Sequence, residues 1–148
     1  MLGQVIVSAA IIDDTIGWIG TGRMGFPMAA RLAKGGGKVA AYNRTKAKAE
    51  WLIQRGMRWA ASPREVAQAA EVTFSMVANG AALAAVTDGP DGILAGLSSG
   101  KVFADMSTVS PAASRDLASR VREKGADMID APVSGSVITL QQGKLSIM

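Results

Sequence analysis

Short β-rich apolar runs alternate with helical stretches along most of the chain, the pattern that a sheet covered on both faces by helices requires. The strands are expected at residues 15–19, 38–42, 57–60, 72–77, 101–105, 126–130 and 144–148, with helices filling the gaps. Local chemistry marks two helix starts. Ser62-Pro63-Arg64-Glu65 combines an N-cap Ser, a Pro at the first helical position and a Glu three residues after the cap. Ser110-Pro111 opens a second helix in the same way, and Gly125 after Arg122-Glu123-Lys124 closes it. Asp88-Gly89-Pro90-Asp91-Gly92 is a turn by composition. The fold class that follows is α/β, with a doubly wound, mainly parallel sheet. No repeat, low-complexity tract or interdomain linker interrupts it.

The connection after the first run is the most specific feature. Gly20-Thr21-Gly22-Arg23-Met24-Gly25 follows an apolar strand and precedes an Ala-rich helix, the context in which Gly-x-Gly-x-x-Gly binds a dinucleotide. The first glycine permits the tight turn, the second lets a pyrophosphate approach bare backbone, and the third lets helix pack on strand. The helix N-terminus then offers N–H groups and a partial positive charge to the phosphates. Residues 15–148 are therefore expected to form a Rossmann-type dinucleotide-binding domain. The second strand ends in Asn43-Arg44-Thr45, where an NAD site usually has a carboxylate for the ribose 2′-hydroxyl. Arg44 can instead grip a 2′-phosphate with two N–H groups, and Asn43 and Thr45 can add neutral hydrogen bonds, so the cofactor expected is NADP(H).

Composition narrows the chemistry. The chain has 148 residues, of which 49% are hydrophobic and 19% charged, which suits one globular domain. It contains no Cys and no His, which removes disulfides, a thiol nucleophile, the usual zinc ligands and the commonest general base. Catalysis then depends on a bound cofactor or another polypeptide, and no metal is expected. The net charge of +4 is scattered among acidic residues without a basic block, which argues against nucleic acid. No run is long enough to span a membrane. Residues 1–14 contain an apolar stretch, Val5 to Ile12, that lacks a basic leader and runs into Asp13-Asp14. It reads as an extension adding a strand or interface arm rather than a secretory signal, and the setting expected is cytoplasmic.

Three further strand ends carry small or polar residues: Val77-Ala78-Asn79, then Asp105-Met106-Ser107-Thr108, then Asp130-Ala131-Pro132-Val133-Ser134-Gly135-Ser136. Each has an ordinary local explanation. Asn79 can cap a helix, Ser107 and Thr108 can satisfy nearby backbone, and residues 132–135 can be a turn. Their convergence on the carboxyl edge of one sheet favours a ligand cleft there.

Together with Asn43-Arg44-Thr45, the fingerprint glycines and Gly143-Lys144-Leu145-Ser146-Ile147-Met148, these segments resemble, in order, the motifs of the β-hydroxyacid dehydrogenase family, the 3-hydroxyisobutyrate dehydrogenase group. The resemblance implies cofactor contacts from Gly20, Gly22, Arg23, Met24, Gly25, Asn43, Arg44, Thr45, Val77, Ala78, Asn79 and Thr108. It places the carboxylate of a small hydroxy acid or semialdehyde on Ser134, Gly135 and Ser136. Ser136 stands where the last glycine is usual, as in the NADPH-linked glyoxylate and succinic semialdehyde reductase branch, and Ala78 stands where many members have Pro. The family also has a helical second domain that supplies the catalytic Lys and most of the dimer contact. None of the lysines here lies in the matching motif, so the resemblance leaves the catalytic residue unassigned and implies a truncated, inactive half that self-associates. A free-standing NADP(H)-binding or oligomerising module and the corresponding domain of an imine reductase are the alternatives.

Overall fold

The computed structural model describes residues 15–148, so the expected strand or arm within residues 1–14 lies outside the described residues. Six strands form the main sheet: β1 (Thr15–Ile19), β2 (Lys38–Tyr42), β3 (Arg58–Trp59), β4 (Val72–Ser75), β5 (Val102–Asp105) and β6 (Asp127–Asp130). They are parallel throughout, in the order β3-β2-β1-β4-β5-β6. The connections are α1 (Gly25–Lys34), a 3-10 turn (Lys46–Ala49) running into α2 (Glu50–Ile53), α3 (Pro63–Ala69), α4 (Gly80–Thr87), α5 (Ile93–Gly96) and α6 (Pro111–Glu123). The strand order reverses between β1 and β4, which opens a crevice at the carboxyl edge of the sheet.

Period-two alternation feeds two apolar layers. Ile19 and Phe103 pack with Val66, Ile93, Leu117 and Val121 on one face, while Trp18, Val39 and Met106 pack with Met28, Leu52 and Leu140 on the other. Trp18 is 1% exposed and its neighbour Ile19 is fully buried, as expected of a strand covered on both faces.

Both helix starts form as the sequence dictates. Ser62 Oγ accepts the Glu65 N–H at 3.2 Å behind Pro63, and Ser110 Oγ accepts the Ala113 N–H at 3.2 Å behind Pro111. Replacing either cap by Ala should cost about 1 kcal/mol. The Glu65 carboxylate reaches back to the Ala61 N–H at 2.9 Å, one residue beyond the capping-box target. Lys101 Nζ closes the other end of α3, donating to the carbonyls of Ala67, Gln68 and Ala70, each at 2.8 Å. Gly125, at φ +74°, follows the last turn of α6.

The final run departs from expectation. Residues 144–148 do not join the main sheet. Their strand, β8 (Ser146–Ile147), pairs antiparallel with β7 (Val133–Ser134) around the short helix α7 (Val137–Gln141). The Met148 N–H donates to the Pro132 carbonyl at 2.9 Å, so the run finds its backbone partners in the segment just upstream. The expected strands at 57–60 and 72–77 are also shorter, because burial of Met57 and Ala60 and the apolar Met76-Val77 extends past the ladder itself.

Candidate functional site

The three glycines after β1 occupy different environments. Gly20 has φ +98°, and a Cβ there would overlap the Met76 carbonyl oxygen. A Cβ on Gly25 would overlap the Gly20 carbonyl oxygen, whereas one on Gly22 would meet nothing within 4 Å. The first and third glycines therefore serve the fold, and the second faces open space. Trp18 Nε1 donates to the Gly20 carbonyl at 2.8 Å and fixes the turn from below. Helix α1 then starts without a side-chain cap and without an acidic residue in its first turn, which leaves its positive end suited to an anion.

Opposite this loop lies a cleft of about 270 Å³ at the switch point. Gly20, Gly22, Asn43, Arg44 and Thr45 line one side, and Met76, Val77 and Ala78 line the other. Tyr42, Ala82 and Val86 add apolar lining. Among the described residues no carboxylate lines it, and Arg44 and Lys48 do. Lys48 was not singled out from the sequence. It sits on the 3-10 turn that follows β2, and the path of the chain there brings it to the cleft beside Arg44.

Several expected contacts do different work. Asn43 is a brace: its Oδ1 accepts the Thr21 N–H at 3.0 Å and its amide donates to the Thr45 carbonyl at 2.9 Å, tying the glycine loop to the end of β2. Asn79 caps α4, accepting the Ala82 N–H at 2.9 Å. Arg23 and Thr108 are exposed, Met24 packs on the core and Gly25 is buried, and none of them lines the cleft. Ser134, Gly135 and Ser136 are exposed and also lie outside its lining. They open the β7–β8 unit instead: Ser136 and Thr139 form a capping box for α7, with the Ser136 N–H donating to Thr139 Oγ1 at 2.7 Å. A second cavity, about 380 Å³, lies beneath that unit against Trp18, Phe74, Met106 and Leu145, and it is apolar apart from Arg31. Among the described residues no group of three or more potential metal ligands assembles, and no helix is long and apolar enough to cross a membrane.

Residues 15–148 match the family model of the NAD binding domain of 6-phosphogluconate dehydrogenase. Two curated relatives come from Arabidopsis thaliana. The chain is 40% identical to glyoxylate/succinic semialdehyde reductase 2, chloroplastic, over 88% of its own length and 37% of that protein. It is 42% identical to the probable 3-hydroxyisobutyrate dehydrogenase-like 1, mitochondrial, over 95% of its length and 43% of that protein. The chain thus spans about two fifths of these relatives. The solved structure of Psf3 in complex with NADP+ and 2-OPP superposes with a TM-score of 0.85 at 35% identity, covering 89% of this chain and 47% of that one. An imine reductase from Myxococcus stipitatus in complex with NADP+ shares the fold at a TM-score of 0.77 and 25% identity, over 84% of this chain and 43% of that one.

Proposed function

The chain belongs to the NAD-binding domain family of 6-phosphogluconate dehydrogenase, and on that premise we propose that it binds NADP(H) in preference to NAD(H). The observation that carries the preference is the cleft at the end of β2, lined by Arg44 and Lys48 and by no carboxylate among the described residues. A 2′-phosphate gains a charge-assisted pair there, while a 2′-hydroxyl finds no acceptor of the usual kind. The residues fit the adenosine and pyrophosphate portions of the cofactor: open space over Gly22 and the uncapped start of α1 suit the pyrophosphate, and the apolar lining suits the adenine. When bound, the nicotinamide donates or accepts a hydride.

The reaction served is hydride transfer on a small hydroxy acid or aldehyde acid, in keeping with the named activities of the relatives. Ser134, Gly135 and Ser136 are then the residues that face the substrate's carboxylate. The resemblance assigns the cationic acid near the carbonyl oxygen to a Lys motif that none of the lysines here matches, and losing such a group typically costs on the order of a hundredfold or more in rate. The test of the cofactor reading is calorimetric titration with NADPH and NADH. NADPH should bind at least about tenfold more tightly, and Arg44→Ala should weaken it by roughly 1.5 to 3 kcal/mol, about one to two decades, with little effect on NADH. Equal affinities, or an unchanged Arg44→Ala, refute the preference.

A further inference from the structure

We propose that three buried side chains, Ser75, Asp105 and Ser107, act as positioning residues that set the Val77-Ala78 wall of the cofactor cleft. This rests on the reading of that cleft as a dinucleotide site. The ladder of β4 runs one residue beyond the strand, with the Met76 N–H donating to the Ile19 carbonyl at 2.9 Å. The next donor, the Val77 N–H, goes to a side chain: Ser107 Oγ accepts it at 3.0 Å. Ser107 is itself held, because its own N–H donates to Asp105 Oδ1 at 3.0 Å. The same Oδ1 accepts the Ser75 hydroxyl at 2.7 Å. Asp105 and Ser75 are fully buried and Ser107 is 1% exposed.

Packing alone does not call for this arrangement. Small apolar side chains would fill the same space without the desolvation penalty of a carboxyl group, and Asp105 Oδ2 is buried with no hydrogen-bond partner among the described residues. A buried polar network of this kind fixes geometry more than it adds stability. The geometry it fixes is one jaw of the cleft. Val77 and Ala78 line it directly. The Met76 carbonyl lies against the glycine loop, where a Cβ on Gly20 would meet it. The knot therefore sets the spacing between residues 76–78 and the loop that receives the pyrophosphate. Arg44 and Lys48 stand on the opposite side and make no contact with it in the hydrogen-bond pattern.

The experiment measures NADPH and NADH dissociation constants and melting temperatures on the whole 148-residue protein, with binding read well below the melting transition. Ser107→Ala should weaken both cofactors about threefold to tenfold, leaving their ratio unchanged, because one wall moves while the 2′-phosphate contacts stay. Asp105→Ala should behave the same way. Asp105→Asn keeps an Oδ1 acceptor for both donors and should restore binding to within about twofold. A role confined to stability predicts a lower melting temperature with both dissociation constants at wild-type values, and that result overturns the proposal. A changed NADPH to NADH ratio also overturns it. If circular dichroism shows Ser107→Ala and Asp105→Ala unfolded, Ser75→Ala decides, since it removes one bond from the knot: weaker binding of both cofactors supports the proposal and unaltered binding sinks it. Wild-type protein that binds neither cofactor overturns the cofactor reading instead, an outcome distinct from a normal wild type with indifferent variants.

Discussion

Alanine placed in turn at Gly20, Gly22 and Gly25 should give three variants that fail for two different reasons. At Gly20 the backbone has φ +98°, which costs a non-glycine residue about 1 to 2 kcal/mol. The new Cβ also overlaps the Met76 carbonyl oxygen, and relieving such an overlap in packed structure costs about 1 to 3 kcal/mol more. The sum, about 2 to 5 kcal/mol, corresponds to a melting temperature roughly 5 to 15 °C lower in a domain of this size. At Gly25 the φ penalty is absent, but the Cβ meets the Gly20 carbonyl oxygen, the same atom that Trp18 Nε1 holds, so a loss of about 1 to 3 kcal/mol is expected. At Gly22 the Cβ meets nothing within 4 Å and φ lies outside the left-handed region, so the melting temperature should stay within about 1 °C of wild type. The methyl group instead occupies the approach of the pyrophosphate and should weaken NADPH by about one to two decades. Circular dichroism melts and calorimetric titrations on the same preparations separate the two effects. A Gly22→Ala protein that binds like wild type, or Gly20→Ala and Gly25→Ala proteins that melt like wild type, would refute this division of roles.

Two more outcomes are expected. Purified 148-residue protein with NADPH should not reduce succinic semialdehyde or glyoxylate appreciably, and a turnover number of about 1 per second or more would show that a catalytic residue in this chain has gone unrecognised. The protein should also self-associate at micromolar concentration, because Ile129, Ile138, Ile147 and Met148 are each at least half exposed along β6 and the β7–β8 unit. Light scattering on the full chain and on residues 15–148 tests this: a monomer in both forms refutes it, and a dimer lost on truncation assigns the assembly to residues 1–14.

What was legible in the sequence is what local chemistry decides. The turn after β1, the starts of α3 and α6 and the basic end of β2 each follow from a few adjacent residues whose backbone or charge requirements admit few solutions. What was not legible is which partner each apolar run or polar side chain takes. An apolar run such as residues 144–148 announces a strand without saying which neighbour it pairs with, and here the neighbour is the segment at residues 132–134. Polar residues at strand ends raise the same question of partner. Asn43, Asn79 and Ser136, each marked for a ligand, also take partners within the protein, the backbone of Thr21 and Thr45, of Ala82, and of Thr139, and for Asn79 the capping role was already open in the sequence. Lys48 was overlooked because its place in the cleft follows from the path of the chain after β2.

The two walls of the cleft also differ in how they are encoded, and this bears on how the site can change. The wall that carries Arg44, Thr45 and Lys48 is a contiguous stretch on the surface, with all three side chains exposed. Surface substitutions away from special backbone features usually alter stability by less than about 0.5 kcal/mol, so the preference between cofactors can shift there with little effect on the fold. The facing wall, Val77 and Ala78, is held by side chains from two strands 30 residues apart, all of them buried. Under the proposed positioning role, changes there should disturb core hydrogen bonds and act on both cofactors alike. On that reading selectivity is the adjustable property of this cleft, and its width is the property tied to the integrity of the sheet.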